Sequence, residues 1–486
     1  MLRTLNVLFF TVFTVLCSFG QKGTHTPYSS FGLGELKGND YAAFSSMGGV
    51  SMACSDSTII NQQNPASFVH IARHQPIFQI GLDGRFSKFE TETNSTNQKF
   101  FGLNQFQLGI PIKKNWGAAF GIKPYSFTGY QISNYVVEDG DSIKLFTNEG
   151  HGGINDFYLG VAYKPLHYGK DTVITKTLKD TTGKEVEYQV AISRKHNLSI
   201  GANANYLFGS STKINTFQYW NSALGLNSKV DNSLRFSGLT YDFGINYEFG
   251  FGSQVLNTKK QSYHSIAIGA TYSPRIAVRA YQDLLTYSYI TIGGGFNGPE
   301  LISDTVDFIN ENQGNVVVPE SYKFGIEYRV GPRSSVQNSQ LRIGADVRYQ
   351  KWSAYDEKFG STAYTNNMKD RMNISVGMEW LPTTKARSYM SKVKYRLGGN
   401  YTITELNVLN NLGNYTNLSA YGMSFGVGLP ITIIKSSNTN INFGANLGRL
   451  GTTDNGLIRE NYVGVFFGLS ITPGYMDQWF IKRKYD

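Results

Sequence analysis

Apolar and polar residues alternate along most of the chain, and a period of two is the pattern of β-strands. In the stretch 239–249, the odd-numbered positions are apolar and the even-numbered positions are polar or small. The same alternation occurs in Phe78–Ser87, Leu198–Phe208, Tyr322–Val330 and Leu341–Tyr349. A tilted strand needs roughly 9–11 residues to cross a bilayer, and these runs reach that length. The pattern therefore predicts membrane-spanning strands.

Two all-β folds alternate in this way. A soluble sandwich turns its polar face outward and has strands of about 5–6 residues. A membrane barrel turns its apolar face to lipid and its polar face to the lumen, which fits long strands that interleave charges with aromatics. We therefore predict an all-β fold, a transmembrane antiparallel β-barrel of about 14 strands with an N-terminal hatch or plug segment. The predicted strands lie near 76–90, 100–112, 115–130, 152–166, 195–210, 236–251, 262–275, 318–332, 340–352, 371–381, 392–405, 417–430, 439–449 and 461–472.

The connections between the predicted strands support a periplasmic N-terminus. Barrels of this kind have short periplasmic turns and longer outer loops. The turns at 113–114, 333–339 and 431–438 are short, whereas the outer connections at 131–151, 211–235, 276–317 and 353–370 are long. The long polar connection 167–194 violates this rule on the periplasmic side. Either it contains an extra hairpin, or the strand count slips by two there.

The first twenty residues predict export. Arg3 supplies a positive start, Leu5–Leu16 is an apolar run, and Ser18 and Gly20 are small residues suited to cleavage before Gln21. Cys17 also permits a lipoprotein interpretation, but Leu16 stands where a small residue is expected. We predict a cleaved signal peptide at 1–20, a hatch or plug at 21–75, a barrel at 76–473, a periplasmic tail at 474–486, and a location in the bacterial outer membrane.

Composition agrees with a chain of strands and turns. The 486 residues include 52 Gly, 31 Tyr and 32 Phe but only 2 Cys. The formal charge of +10 could favour nucleic acid, yet no basic helix or zinc-ligand spacing accompanies it. We expect no nucleic-acid partner, and we regard contact with outer-membrane lipid or lipopolysaccharide as compatible with the charge.

The segment 21–75 does not alternate, and its mixture of Gly, Ser, Asn and apolar residues suits an ordered plug inside the lumen. A periplasmic linker is the alternative. Its candidate gating motif is Asn64-Pro65-Ala66, where proline fixes the backbone and asparagine can bond to it locally. An ordinary Asn-Pro turn before the first strand is the alternative there. The supporting hatch residues are Gly48, Gly49 and Asp56.

These motifs resemble the hatch of the FadL-type long-chain fatty acid outer-membrane transporters, as a distant, FadL-like barrel. Val318-Pro319-Glu320, Ala345-Asp346-Val347 and Gly426–Pro430 are similar to other parts of that family. The resemblance implies a fourteen-stranded barrel and passive uptake of hydrophobic, fatty-acid-like molecules. It also implies that the ligand leaves sideways through the wall after the hatch moves. Only Asn64, Pro65 and Ala66 match the gating motif well enough to carry over.

Two stretches match the sequence patterns of catalytic or nucleotide-binding motifs but lack the structural context that those motifs need. Gly422–Gly426 fits G-x-S-x-G, but Ser424 lies inside an alternating strand rather than on a strand-to-helix turn. Gly293–Gly298 fits G-x-G-x-x-G without a βαβ unit. The histidines show no metal-ligand spacing, so we expect no metal. Since neither catalytic pattern has its structural context, we also expect no enzyme and no cofactor. Charges that face the lumen could form a catalytic or selective array, but mutual pairing is the simpler expectation. These charges are Asp83, Arg85, Asp242, Glu248, Arg342, Asp346 and Arg348.

Two functions follow from these predictions. The first is hatch-gated passive transport of hydrophobic small molecules. The second is a FadL-like scaffold or interaction barrel, for example one associated with type IX secretion. In that case the tail Trp479–Asp486 could dock a periplasmic or secretion-system protein.

Overall fold

A computed structural model describes residues 24–472, apart from 39, 74, 139–141, 180–184, 221–224, 256–260, 294, 332–338, 361, 365–366, 384–387 and 432–438. The predicted signal peptide at 1–20 and the predicted tail at 474–486 lie outside the described residues. The strands are β1 (Glu35–Leu36), β2 (Ile77–Glu90), β3 (Ser95–Lys113), β4 (Trp116–Glu138), β5 (Ser142–Lys179), β6 (Glu185–Tyr219), β7 (Asn227–Val255), β8 (Gln261–Ser273), β9 (Ile276–Thr291), β10 (Glu300–Val318), β11 (Ser321–Val330), β12 (Gln340–Gln350), β13 (Glu357–Phe359), β14 (Thr362–Tyr364), β15 (Arg371–Leu381), β16 (Lys394–Leu409), β17 (Tyr415–Ile431), β18 (Thr439–Leu450) and β19 (Arg459–Ile471).

The described helices are short. They are α1 (Ala42–Ser45) and the 3₁₀ helices Pro27–Ser30, Pro65–His70, Trp352–Ala354, Met390–Lys392 and Asp454–Gly456. No helix among the described residues is long and apolar enough to cross a membrane.

Fourteen antiparallel strands close into a barrel, which confirms the predicted fold. The ring runs from β2 to β8, continues through β11 and β12, and returns through β15 to β19, which pairs with β2. The register of that closing pair sets Arg459 opposite Glu90 and Ile471 opposite Phe78. Closure pairs the first and last strands of the ring with each other, as a sheet that spans a membrane requires.

The outward positions of the strands form an apolar band. Phe243 is 51% exposed and Phe324 is 52% exposed, whereas the neighbouring inward positions are buried or half-buried. A soluble monomer does not expose a continuous apolar surface of this extent, so the band is the surface that lipid covers. The alternation along each strand thus arises because one face of the strand contacts lipid and the other faces the lumen.

Aromatic side chains mark the barrel end at which β2 begins and β19 ends, which we call the terminal end. Trp116 packs against Tyr163 there, with ring centroids 4.6 Å apart, and Trp380 packs against Tyr395 at 5.9 Å. Trp352, by contrast, is buried, and its indole N–H donates to Gln350. The terminal end faces the periplasm by the rule for such barrels, and we call the other end the outer end.

Several predicted loops are strands. The stretch 276–317 contains β9 and most of β10, which pair with each other, and β9 also pairs with the extended end of β7. Within the predicted connections 131–151 and 211–235, residues 131–138, 142–151, 211–219 and 227–235 continue the barrel strands beyond the outer end. Within the stretch 167–194, residues 167–179 and 185–194 continue β5 and β6 and pair with each other, so no slip in the strand count occurs there.

Candidate functional site: the lumen and its N-terminal segment

Residues 24–75, which we call the N-terminal segment, lie against the inward faces of the barrel strands. Their buried side chains include Tyr41, Met47, Met52 and Phe68, each with 4% or less of its surface exposed. The segment is irregular apart from β1 and its short helices, so its backbone groups need partners outside the segment. The barrel strands supply many of them through inward polar side chains.

Glycines at inward positions of the barrel strands leave the space that the N-terminal segment occupies. A β-carbon added at Gly201 would lie 2.6 Å from the carbonyl carbon of Pro65, and one added at Gly344 would lie 2.7 Å from Val50. A side chain at these positions would displace the segment, so glycine is required by close approach. We call this set the glycine belt. Its members, spread over most of the barrel strands, are Gly109, Gly117, Gly160, Gly201, Gly244, Gly269, Gly325, Gly344, Gly377, Gly398, Gly426 and Gly468.

The Asn64-Pro65-Ala66 motif is buried at this belt. The Asn64 carboxamide oxygen accepts from the Ala66 N–H at 3.1 Å, and its amide donates to the carbonyls of Met52 at 2.8 Å and Ile245 at 3.1 Å. Pro65 begins the 3₁₀ helix Pro65–His70, where its missing N–H costs nothing. One side chain thus caps a helix and joins two parts of the segment to β7.

Gly48 and Gly49 form the turn that follows α1. Both have positive φ, +72° and +94°, a conformation that residues with a β-carbon rarely adopt. The Gly48 N–H donates to the hydroxyl of Ser424 at 2.8 Å, and the Gly49 carbonyl accepts from Arg348. Ser424, the serine of the G-x-S-x-G pattern, is therefore a hydrogen-bond acceptor for the segment.

Asp56 anchors the segment to two strands. Its carboxylate lies 3.4 Å from Lys394 and 3.5 Å from Arg342, and it accepts from the Thr58 N–H at 2.9 Å. Burial alone would raise the pKa of Asp56, but Lys394 and Arg342 outweigh it and hold that pKa well below its usual range. The carboxylate of Asp56 is therefore ionised at neutral pH when the segment is in this position.

Three predicted lumen charges, Arg342, Asp346 and Arg348, bind the segment from β12. Asp346 accepts the N–H groups of Ser51 and Met52 at 2.6 and 3.0 Å. Arg348 donates to both oxygens of Asp40, each at 3.0 Å. Such a bidentate pair is stronger and more specific in geometry than a single contact.

The other predicted lumen charges have varied partners. Arg85 pairs with Glu35 of the segment at 2.5 Å and with Glu460 at 2.8 Å, and Asp83 lies 3.6 Å from Lys37. Asp242 accepts from Asn205 and Ser273 on neighbouring strands, and Glu248 accepts from Asn197. Five of the seven residues thus contact the N-terminal segment, and two serve contacts within the wall.

The wall itself is not paired along its whole height. Beyond the pair Phe106–Ile122 towards the outer end, β3 pairs with β2 and β4 pairs with β5, but no register joins the described residues of β3 and β4 to each other. We call this opening the wall gap. Phe101 and Leu103 beside it are 41% and 46% exposed, so it lies within the apolar band.

The N-terminal segment occupies the free edge of β4 at the wall gap. Glu35 and Leu36 of β1 pair with Phe127 and Ser126, and the Lys37 N–H donates to the Tyr125 carbonyl at 3.1 Å. Two irregularities mark the place where the strands part. Asn104 is an extra residue in β3, and the register of β4 shifts after Pro124, which has no N–H to donate to a neighbouring strand.

Two cavities adjoin this part of the segment. The lumen cavity, about 270 Å³, is lined by residues that include Lys123, Asp156, Asp242 and Lys323. The wall cavity, about 260 Å³, is lined by both residues at the parting point, Asn104 and Pro124. Residues that line both cavities are Leu36, Lys37, Gly38, Asp40, Gly48 and Asn400.

Sequence reasoning missed the glycine belt, the wall gap and the partners Glu35, Lys37 and Asp40. A signal for the gap was present in Pro124, because proline inside an alternating run is confined to strand edges and bulges. The glycine positions were visible as small inward residues near the middle of many strands. Only the position of the segment shows what they accommodate.

The closed ring, the outward apolar band and the occupied lumen define an integral outer-membrane β-barrel protein. A model of the BamG family matches residues 1–172 and 171–486, so the chain belongs to the BamG family. A search of curated proteins finds no match.

Solved structures that match include FadL-family transporters, as the sequence resemblance predicted. The CymD monoaromatic hydrocarbon channel is 12% identical with a TM-score of 0.44, over 92% of this chain and 99% of the channel. The toluene transporter TodX of Pseudomonas putida is 14% identical with a TM-score of 0.44, over 91% and 99%. A FadL homologue of Pseudomonas aeruginosa is 11% identical with a TM-score of 0.45, over 90% and 98%. A likeness at this level carries no argument about function.

Proposed function

We propose that this barrel is a passive outer-membrane channel for small hydrophobic molecules, with the N-terminal segment as its hatch. The observation that carries the proposal is the wall gap between β3 and β4. A pore for polar solutes needs no lateral opening, because such solutes pass from water to water. A molecule that prefers lipid gains free energy by leaving sideways into the bilayer.

The hatch occupies the route that such a molecule would follow. Leu36, Lys37, Gly38 and Asp40 lie between the lumen cavity and the wall cavity and line both, and β1 covers the edge of β4 that faces the wall gap. A shift of this stretch would join the two cavities and open the wall in the same movement. That the ligand is fatty-acid-like remains a prediction from the family resemblance.

A disulfide across β1 and β4 tests the proposal. Leu36 and Ser126 are directly opposed in an antiparallel pair, a spacing that a disulfide can span. The double variant L36C/S126C is expected to lose uptake of radiolabelled 1-decanol when oxidised and to recover it after reduction. The assay uses cells of a Gram-negative host that lacks its own channel for hydrophobic compounds.

A second pair controls for effects of the crosslink itself. Phe86 and Val463 are opposed across β2 and β19 and point outward, with 44% and 43% of their surfaces exposed. The oxidised F86C/V463C variant should transport as the native protein does. The proposal fails if native uptake equals that of empty-vector cells, or if the oxidised L36C/S126C variant transports at the native rate.

A further inference from the structure

Lys37 lies at the centre of the wall gap. Its ammonium is 4.5 Å from the ring centroid of Phe100 on β3 and 5.4 Å from that of Phe127 on β4, and the two rings are 5.9 Å apart. A cation over an aromatic face is attracted by the ring, more strongly where water is excluded. One side chain of the N-terminal segment therefore connects the two strands that the ladder leaves unpaired.

Lys37 also stands between the two cavities, since its side chain lines both of them. A molecule that passes from the lumen cavity to the wall cavity must move this ammonium off the two rings. The rings that it leaves are an apolar surface that a hydrophobic molecule can contact in its place. The charges around Lys37 therefore decide which chemical class of molecule can pass.

The surroundings of Lys37 are acidic. The wall cavity is lined by three carboxylates, those of Glu35, Asp40 and Asp83, and by two cations, Lys37 and Arg85. Both cations are already paired, Lys37 with Asp83 at 3.6 Å and Arg85 with Glu35 at 2.5 Å. Asp40 is paired with Arg348, but Arg85 faces a second carboxylate, that of Glu460 at 2.8 Å. These carboxylates outnumber the cations by one, so a carboxylate that entered here would meet a surplus of negative charge, which is costly in a confined site.

We propose that Lys37 holds the wall gap closed through Phe100 and Phe127, and that the gap passes neutral hydrophobic molecules in preference to carboxylates. The inference rests on the proposed function and specifies its substrate class. A neutral molecule replaces the ammonium over the rings while Lys37 keeps its ion pair with Asp83. A carboxylate would have to compete with Asp83 for Lys37 and would then face Glu35.

Uptake of two probes of equal chain length, 1-decanol and decanoate, tests this preference at pH 8 in the host described above. Native protein should take up decanol several-fold faster than decanoate after subtraction of the empty-vector rate. Asp83→Asn removes one carboxylate from the wall cavity and releases Lys37, so decanoate uptake should rise while decanol uptake persists. Lys37→Met keeps side-chain length without the charge, so decanol uptake should rise and decanoate uptake should not.

The matched control is Asp307→Asn, which removes a carboxylate from an exposed position of β10. It should leave the ratio of the two uptake rates unchanged. Native decanoate uptake as fast as decanol uptake, or a ratio that Asp83→Asn does not alter, would overturn the inference and leave the channel function standing. If neither probe enters above the empty-vector rate, the channel function itself fails.

Discussion

Replacement of Gly201 by alanine should loosen the N-terminal segment while the barrel stays folded. The added β-carbon would lie 2.6 Å from the carbonyl carbon of Pro65 and 2.7 Å from the nitrogen of Ala66. Both are backbone atoms in the middle of the buried Asn64-Pro65-Ala66 motif, so no side-chain rotation can relieve the clash. The segment must move away from β6, and the hydrogen bonds of Asn64 must lengthen or break.

The size of the effect follows from this overlap. Excess atoms in a packed interior typically cost about 1–3 kcal/mol. If the cost is borne by the seated segment alone, the displaced population rises by roughly 5–150-fold. The barrel ladder bears none of it, because Gly201 is paired normally with Gly244 on β7.

Cys54 provides the assay. It lies in the segment with 1% of its surface exposed, and its thiol donates to Glu327 at 2.7 Å. Burial raises the pKa of Cys54 well above its ordinary value, so the seated thiol should resist alkylation. The rate of labelling by a bulky maleimide therefore reports displacement of the segment, and a Cys54→Ser variant gives the background.

Gly399→Ala is the matched control, since its β-carbon would find only the Gly422 carbonyl, at an ordinary 3.5 Å. Heat-modifiable electrophoretic migration shows whether each barrel is folded. Equal labelling rates in Gly201→Ala and Gly399→Ala would refute the claim that the glycine belt seats the segment.

Three further predictions use the same labelling assay. Asn64→Ala removes the cap on Ala66 and the bond to Met52, so labelling should rise by the equivalent of about 1–2 kcal/mol, whereas Asn64→Asp, which keeps the capping oxygen, should rise less. Asp40→Asn breaks the bidentate pair with Arg348 and should raise labelling in the same direction; an unchanged rate would mean that this pair does not hold the segment. The pKa of Asp56 is lowered in the folded protein, so its stabilising contribution is present above the ordinary value of 3.8 and is lost as the pH falls through the folded value. Asp56→Asn should label faster than native protein at pH 7. This difference in labelling rate, normalised to unfolded protein at each pH, should persist from pH 8 to pH 5 and disappear only in stronger acid.

The transmembrane strands could be predicted from the sequence because lipid forces their outward positions to be apolar. The predicted strand 371–381 coincides with β15, and most others differ by a few residues at each end. The closing pair of β19 with β2 follows once the number of strands is even and both ends lie on one side. Strand count and order are therefore properties of the lipid-facing residues.

The strands beyond the membrane could not be predicted in this way. In β10, residues Glu300–Phe308 are exposed throughout, so water contacts both faces and no alternation is required. The extended end of β4 shares this property, since residues 131–137 are all exposed. A polar stretch between two barrel strands therefore gives the same pattern whether it is a loop or a paired ribbon.

The residues that face the lumen could not be predicted for a different reason. They contact the N-terminal segment, which is part of the same chain. An inward position is glycine where the backbone of the segment approaches and charged where the segment offers a partner. Gly201 against Pro65 and Arg348 against Asp40 are one example of each. Neither pairing could be derived without the path of the segment, which has no period of its own.

Two parts of the N-terminal segment are held in different ways, and this difference limits how the segment could move if it acts as the proposed hatch. Residues 46–68 lie against the glycine belt through backbone atoms, as at Met47 and Pro65, and through side chains, as at Val50. Any displacement loses these contacts over many strands at once. Glu35 and Asp40 are held by ion pairs, and Glu35 and Leu36 pair with β4 as two residues of sheet. These contacts can exchange one at a time. The free edge of β4 in lipid would leave backbone groups unsatisfied, each at a cost of several kcal/mol. A shift that is small enough to keep the edge of β4 covered, and that leaves Asn64–Ala66 seated, is therefore the least costly way to join the lumen cavity and the wall cavity. Such a shift involves residues 35–38 and Asp40.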